Sequence, residues 1–418
     1  MTTSTGSTTR TLTDEDVRHI LVETFTPLSL AGKRVLVIIP DGTRTAPIPL
    51  LFRLLYEELG KEVAQLDYLI ALGTHSPMSE QAIDRLVGVS TDERAVRYPN
   101  VHIYNHHWSD PNALKTIGVI SAEETRRITE GMFSEEVSVT LNRMILEYDQ
   151  LIICGPVFPH EVAGFSGGAK YLFPGIAGPA IIHFSHWLGA CVTSMATIGV
   201  KDTLVRRVIH RAAEFVPRPL LLIALVLQGQ DLHGLYSGSA IEAFEAAADL
   251  SADLNIVYKP HPFHRVLSLP AEHYDDLWTA AKAMYKTEPV IADGGEVIIY
   301  APHISEVSYT HGALIDQVGY HVRDYFLKQW ERFKDVPGGI LAHSTHVKGA
   351  GTYDATTGSE QPRIKVTLAT GIPEERCQSI NLGYADYRTI DPTAWKGRED
   401  EGILLVPHAG EVLFRLAR

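Results

Sequence analysis

The sequence predicts an α/β fold: two α/β domains with the active-site cleft between them. Three observations carry that prediction. From residue 33 to residue 254, buried-strand patterns alternate with helical patterns, the rhythm of a mainly parallel sheet. After a break rich in proline and histidine at residues 258–270 the rhythm resumes. The chain's 418 residues are enough for two domains.

The elements follow in order. The opening MTTSTGSTTR is polar and lacks an apolar stretch, so residues 1–11 read as a disordered tail and not as a signal peptide. Thr13 begins TDEDVRHILVETF, where a capping-box start precedes apolar residues at helical spacing. KRVLVIIP (33–40) is a buried-strand run that feeds the loop DGTRTAPIP and then the helix LLFRLLYEELGKE. LDYLIALGTH (66–75) repeats the design and leads to a helix near SEQAIDRLVG. YDQLIICGPVFPH (148–160) is a third strand, and PLLLIALVLQ (219–228) with a helix near SAIEAFEAAADL completes the domain.

YKPHPFHRVLSLP (258–270) mixes Pro, His and Lys and reads as an interdomain connection. A second α/β unit follows, with the helix HYDDLWTAAKAMYK, the strand GEVIIYAP and the helix GYHVRDYFLKQWERF. PRIKVTLATG and GILLVPH supply later strands. The boundaries so drawn are an N-terminal cofactor-binding domain over 12–258, rejoined by about 390–418, a connection over 259–272, and a C-terminal domain over 273–389 that closes over the cleft.

Composition removes whole classes of function. A net charge of −13 argues against a general nucleic-acid or anionic-membrane surface. No segment reaches the ~18 uninterrupted apolar residues of a membrane span. Cys154, Cys191 and Cys377 form neither a disulfide framework nor a CxxC pair. The expectation is a cytoplasmic protein acting on a small molecule. Histidine is abundant, 19 residues against 37 lysines plus arginines, and several histidines fall at the ends of apolar strands.

In a parallel sheet, ligands sit beyond the carboxyl ends of the strands, and three chemically loaded loops lie there. The first carries Asp41, Thr43 and Arg44, where an arginine fork can grip a carboxylate or phosphate. The plain alternative is a turn with a solvated arginine. The second ends in His75, a candidate acid–base group that could equally cap the next helix or pair with a carboxylate. The third is HEVAGFSGGAKYLFPG (160–175). Gly164, Gly167 and Gly168 permit close backbone approach, and Ser166 could donate to a phosphate. The chain reads GGAKY where a P-loop has Gly-Lys-Ser/Thr, so a nucleoside triphosphatase is not expected. Lys170 beside an apolar run could be a phosphate contact, a Schiff base or another covalent anchor. IIHFSHWLGA adds His183 and His186, three apart on a helix, a pair that can bind metal but is weak alone. His106, His107, His261, His264, His343 and His346 have no metal-ligand spacing and read as structural.

Taken together, DGTRTAP, LGTH, HEVAGFSGGAKYLFPGIAG, HFSHW and DDLWTAAKAM resemble, in order and spacing, the nickel-dependent lactate racemase family over roughly residues 30–400. The resemblance implies a nickel-pincer nucleotide, nickel pyridinium-3,5-bisthiocarboxylic acid mononucleotide, made by cofactor-maturation proteins. Lys170 would hold it through a thioamide link and His186, sixteen residues later, would complete the nickel coordination. Asp41, Thr43, Ser166, Gly167 and Gly168 would line the cofactor, and Arg44 would bind its phosphate or the substrate carboxylate. His75 and His160 would be the two acid–base residues flanking the substrate, with Lys282 reaching in from the second domain.

The reaction so implied is racemisation or epimerisation of a 2-hydroxy acid, with hydride leaving C2 for the pincer carbon and returning to the other face of a 2-keto acid. Two opposed imidazoles suit a reaction that runs in both directions. The sequence departs from the family at two positions beside Lys282: Thr279 stands where the family has glutamine, and Trp278 where it has tyrosine. These departures point to a substrate larger or more polar than lactate, with His343, His346 or Lys348 of an HSTHVKG loop as added polar contacts. Two other readings stay open, a pyridoxal-phosphate enzyme using Lys170 and a non-catalytic cofactor-binding protein. A zinc hydrolase lacks the ligand spacing.

Overall fold

The computed structural model describes residues 3–417. The chain forms two compact units that do not follow a single cut. Unit 1 takes the chain up to Phe158, then Phe165–Ile182 and Arg206–Leu254. Unit 2 takes Pro159–Gly164, His183–Val205 and the chain from Asn255 on.

Unit 1 is built on a seven-stranded sheet. Its strands are β1 (Thr3–Gly6), β2 (Arg34–Ile39), β3 (Gln65–Ile70), β4 (Ile103–Asn105), β5 (Gln150–Pro156), β6 (Leu220–Gln228) and β7 (Asp231–Gly238), in the order β1-β7-β6-β5-β2-β3-β4. The five strands from β6 to β4 are mutually parallel, and β7 and β1 add an antiparallel edge. Val35–Ile39 of the central β2 are at most 1% exposed, because helices cover both faces of a parallel sheet. Each such side chain contributes roughly 1.5–3 kcal/mol of transfer free energy.

The helix Asp14–Phe25 starts on the expected capping box: Thr13 Oγ1 accepts from Asp16 N at 3.2 Å and Asp16 Oδ2 accepts from Thr13 N at 2.9 Å. Chain order runs from β2 to β3 on one side, while β5 lies on the other. The carboxyl ends of β2 and β5 therefore flank a topological switch point, where open α/β sheets bind ligands.

Unit 2 is built on a five-stranded parallel sheet. Its strands are β8 (Phe263–Pro270), β9 (Ile291–Ala301), β10 (Lys365–Thr370), β11 (Gly383–Tyr384) and β12 (Ile403–Ala409), in the order β11-β10-β9-β8-β12. Leu267, Ile298 and Ala369 from its three inner strands form a buried cluster.

Several sequence expectations change here. Residues 3–6, read as part of a disordered tail, are an edge strand in register with β7, from Thr3↔Ser237 to Gly6↔Gly234. Polar composition is no bar to an edge strand, whose hydrogen bonds are between backbones. Residues 1 and 2 of that tail lie outside the described residues. The proline-rich 259–272, read as a connection, contains β8, which pairs on both sides. Residues 390–418, expected to rejoin the first domain, supply β12 to the second sheet and a short strand, Leu413–Leu416, beside Ile256–Lys259. The single helix expected over 273–286 is two short ones, Leu277–Ala280 and Lys282–Tyr285. HSTHVKG is not a loop: it ends the helix Gly338–Lys348, whose residues Ile340–Val347 are buried.

Candidate active site

In unit 1, three loops at the carboxyl ends of neighbouring parallel strands bring candidate residues together. Asp41, two residues beyond β2, is 6% exposed. Its Oδ1 accepts from Thr43 N at 3.1 Å and from Thr43 Oγ1 at 2.6 Å, which closes the turn. Its Oδ2 lies 2.5 Å from His75 Nδ1, on the loop after β3. Burial opposes ionisation of Asp41, but the paired His75 ring with its hydrogen bond, the Thr43 hydroxyl and the Arg44 guanidinium together hold the carboxyl below the usual carboxylate range. Asp41 and Thr43 were expected to line a cofactor. Their observed partners are each other and His75, the carboxylate pairing that the sequence left open for that histidine.

The glycine-rich segment follows β5. Gly167 (φ 84°) and Gly164 (φ 82°) adopt a backbone that side chains rarely take. A Cβ on Gly167 would stand 2.5 Å from Val157 Cγ2, and one on Gly164 would stand 1.8 Å from Val200 O. The protein's own packing thus requires both glycines. Ser166 is 5% exposed; its hydroxyl accepts from Phe158 N at 2.9 Å and donates to Pro156 O at 3.2 Å. Its donor is therefore spent tying the loop to β5 and is not offered to a phosphate.

Lys170 lies half-buried on the single 3₁₀ turn Gly168–Tyr171. Its carbonyl accepts from Gly175 N at 3.2 Å, and Gly175 O accepts from Gly73 N at 2.8 Å. Two backbone bonds thus link the Lys170 turn to the loop that carries His75.

Arg206 was missed by sequence reasoning. It is 1% exposed, donates from Nη1 to Gly167 O at 3.1 Å and from Nη2 to Phe165 O, and stacks over the Phe244 ring at 4.0 Å. Burial lowers its pKa to about 9. An arginine beside the apolar residues Val205, Val208 and Ile209 of the helix Leu204–Ala213 was the available signal.

Unit 2 holds the remaining candidates. His160 is 6% exposed and its Nδ1 accepts from Val162 N at 3.1 Å. Glu161 Oε2 lies 3.5 Å from the same atom. The better hydrogen-bond geometry belongs to Val162, so a neutral His160 carries its proton on Nε2.

His183 Nδ1 accepts from Gly339 N at 3.4 Å, and burial lowers the His183 pKa. His186 is half-buried on the helix Pro179–Val192. It lies within electrostatic reach of the buried His343, whose pKa is pushed well down by burial and by His346, His311 and His186. Beyond β8, Lys282 is 5% exposed with its Nζ 4.4 Å from the centre of the Tyr274 ring. Trp278 stacks on His343 at 4.0 Å and tilts against His311 at 4.5 Å.

The Thr279 hydroxyl, expected to face a substrate, donates to Asp276 Oδ1 at 2.9 Å as part of a helix cap. Lys348 donates to Asn381 O at 2.6 Å, and His343 Nε2 lies 3.2 Å from the Tyr320 hydroxyl. His106 is a structural residue: its Nε2 meets Ala177 O at 2.9 Å and its Nδ1 meets Asn142 Nδ2 at 3.2 Å.

Among the described residues no three His, Cys, Asp or Glu side chains gather as a metal site. No helix among them is long and apolar enough to cross a membrane. The three cysteines are unpaired and buried.

Residues 17–199 match the family model of the lactate racemase N-terminal domain. The chain is 24% identical over 279 residues to lactate racemase of Thermoanaerobacterium thermosaccharolyticum, covering 66% of this chain and 61% of that protein. It is 25% identical over 278 residues to lactate racemase of Lactiplantibacillus plantarum, covering 65% of this chain and 60% of that one. The match therefore spans about three-fifths of the curated relatives' length. A crystal structure of a Thermotoga maritima protein superposes with a TM-score of 0.89 at 32% identity, covering 97% of this chain and 99% of that one. The lactate racemase apoprotein structure from T. thermosaccharolyticum superposes with a TM-score of 0.73 at 20% identity, covering 97% and 93%, a likeness of fold.

Proposed function

We propose that the chain is a member of the lactate racemase family, from the match of residues 17–199 and the likeness to two lactate racemases, and that it is an isomerase, a racemase or epimerase that inverts C2 of a 2-hydroxy acid. The observation that carries the reading is the Asp41–His75 pair at the carboxyl end of the parallel sheet. With Nδ1–H donated to Asp41, the His75 Nε2 lone pair is the basic atom and takes the substrate hydroxyl proton. The resting His160 ring accepts from Val162 N on Nδ1; to act as the acid on the other face it takes up a second proton, with Nδ1–H turned to the Glu161 carboxylate 3.5 Å away and Nε2–H donated to the substrate oxygen. Losing the Nε2 proton leaves a neutral ring with Nδ1–H held by Glu161, and its Nε2 lone pair is the base when the reaction runs the other way. Arg44 neutralises the substrate carboxylate, and Lys282 serves as a second cationic group.

Two observations support a nickel-pincer nucleotide: the Lys170 amine stands half-buried on a turn that glycines shape, and the His186 imidazole, a ligand type nickel accepts, is half-buried on the helix Pro179–Val192. Lys170 would hold the nucleotide and His186 the metal, with Asp41, Thr43, Gly167 and Gly168 shaping the surrounding loops. When bound, the group supplies hydride acceptance and return at C2; the protein supplies orientation and charge. Partners follow from this reading: a small 2-hydroxy acid and the proteins that mature the cofactor.

The test is to mature the protein with the pincer cofactor and offer lactate, 2-hydroxybutyrate, malate and gluconate. Chiral chromatography and proton NMR in deuterated water report inversion at C2. No inversion of any acid by nickel-loaded protein refutes the reading. Visible absorbance of a Lys170 aldimine after addition of pyridoxal phosphate would favour the Schiff-base enzyme instead.

A further inference from the structure

The part of the helix Pro179–Val192 that lies in unit 2 carries both candidate histidines, His183 and His186. One stripe of it is gripped by the segment 323–339. The Gly339 N–H donates to His183 Nδ1 at 3.4 Å. The Trp187 indole stacks on Trp330 with ring centres 5.9 Å and planes 8° apart, and meets Phe326 edge-on at 6.3 Å. Arg323 Nη1 donates to Cys191 O, a carbonyl of the last turn, at 3.0 Å. His183, Trp187 and Cys191 are spaced four residues apart, so the grip runs along one face of the helix.

The approach is close because Gly338 has no side chain. A Cβ there would stand 2.5 Å from His183 O and 3.0 Å from Trp187 Cβ. The helix Gly338–Lys348, which Gly338 opens, would have to withdraw by roughly 1 Å to restore an ordinary contact of about 3.5 Å. The aromatic half of the grip is built differently. Trp330 is 38% exposed, against 5% for Trp187. It braces the buried indole from the surface, so it can be truncated without opening the core.

The two histidines are three residues apart and therefore differ by only about 60° around the helix axis. A modest rotation would exchange them, and something has to fix the rotation that the helix adopts. His183 lies in the gripped stripe. His186, one residue before Trp187, points about 100° away from that indole.

We infer that Gly338, Gly339 and Trp330 are positioning residues, a seat that holds His183 against the segment 323–339 and leaves His186 as the imidazole offered to a metal. The inference rests on the racemase reading for the metal alone.

Gly338→Ala and Trp330→Ala test the seat in matured protein. Chelator competition reads nickel affinity, and intact mass reads the nucleotide. Each variant should hold nickel about 10–100-fold more weakly, the range for loss of support to a metal-ligating histidine, while the nucleotide mass increment on Lys170 persists. A merely structural role would lower both together. Trp330→Phe, which keeps a ring against Trp187, should restore most of the affinity.

A second measurement needs no cofactor. In full-length protein with isotope-labelled imidazoles, heteronuclear NMR reports each ring, and His183→Gln and His186→Gln assign the pair. The His183 Nδ1 resonance should move in Gly338→Ala, because withdrawing the helix Gly338–Lys348 breaks the contact with Gly339 N–H. Unchanged nickel affinity or an unchanged His183 resonance overturns the seat. If the wild type takes up no nickel nucleotide while the His183 resonance moves in the variant, the racemase reading fails and the seating of the helix stands. Should thermal unfolding show that Gly338→Ala does not fold, Trp330→Ala must meet both criteria or the inference falls.

Discussion

Asp41 Oδ2 and His75 Nδ1 lie 2.5 Å apart, joining the loops after two adjacent parallel strands. The carboxylate fixes both the orientation of the imidazole and which nitrogen carries its proton, as a buried acid does for a catalytic histidine in other enzymes.

Asp41→Asn should therefore lower kcat by on the order of 10²–10⁴, the range expected when a general base loses its productive tautomer. The same variant reports a pH dependence. Asp41 has a folded-state pKa below its unfolded value of about 3.9. Its stabilising contribution is complete above the unfolded pKa and is lost as pH falls below it. Thermal unfolding between pH 5 and pH 3 should show a smaller drop in Tm for Asp41→Asn than for wild type. Equal drops would show that the pair does not stabilise the fold.

His75→Ala and His160→Ala should each cut epimerisation in both directions by about 10²–10⁴-fold. Cofactor content, measured by intact mass and nickel analysis, should be preserved in both. A variant that retains near-normal turnover removes that histidine from the proton transfers.

Lys170→Ala should abolish the mass increment of the matured protein, and His186→Ala should lose nickel more than nucleotide. His183 lies one helical turn away, yet its Nδ1 already faces Gly339 N. X-ray absorption on His183→Ala should show an unchanged nickel shell. A shell that loses its imidazole in that variant transfers the ligand role to His183.

Arg206→Met leaves the carbonyls of Phe165 and Gly167 without their cationic donor. Two hydrogen bonds from a charged group give an expected destabilisation of about 3 kcal/mol or more in denaturant unfolding. As a positioning residue for the Lys170 turn, Arg206 should also govern the yield of the cofactor mass increment. Arg206→Lys should restore part of that yield. A loss below about 1 kcal/mol with full cofactor uptake contradicts both roles.

The alternation of strands and helices was legible because apolar periodicity is local: KRVLVIIP reads as a buried strand from its own residues, and Thr13 announces a helix through Asp16 three positions on. The placement of Asp41, His75 and Lys170 at strand ends followed from the same patterns. What only the tertiary structure decided concerns partners far apart in the chain. Nothing near Thr3 specifies pairing with Ser237, and the prolines flanking β8 conceal a strand that pairs with both Glu296 and Ile403 from Arg265.

The site divides in the same way. Motif spacing located the candidates, but the atoms their side chains meet were set by packing. Ser166 and Thr279 give their hydroxyl hydrogens to Pro156 O and Asp276, the Arg206 charge is buried against the carbonyls of Phe165 and Gly167, and the polar HSTH run faces inward on a helix. A residue type states which hydrogen bonds are available; only the folded chain, by deciding which groups lose water together, determines which are made.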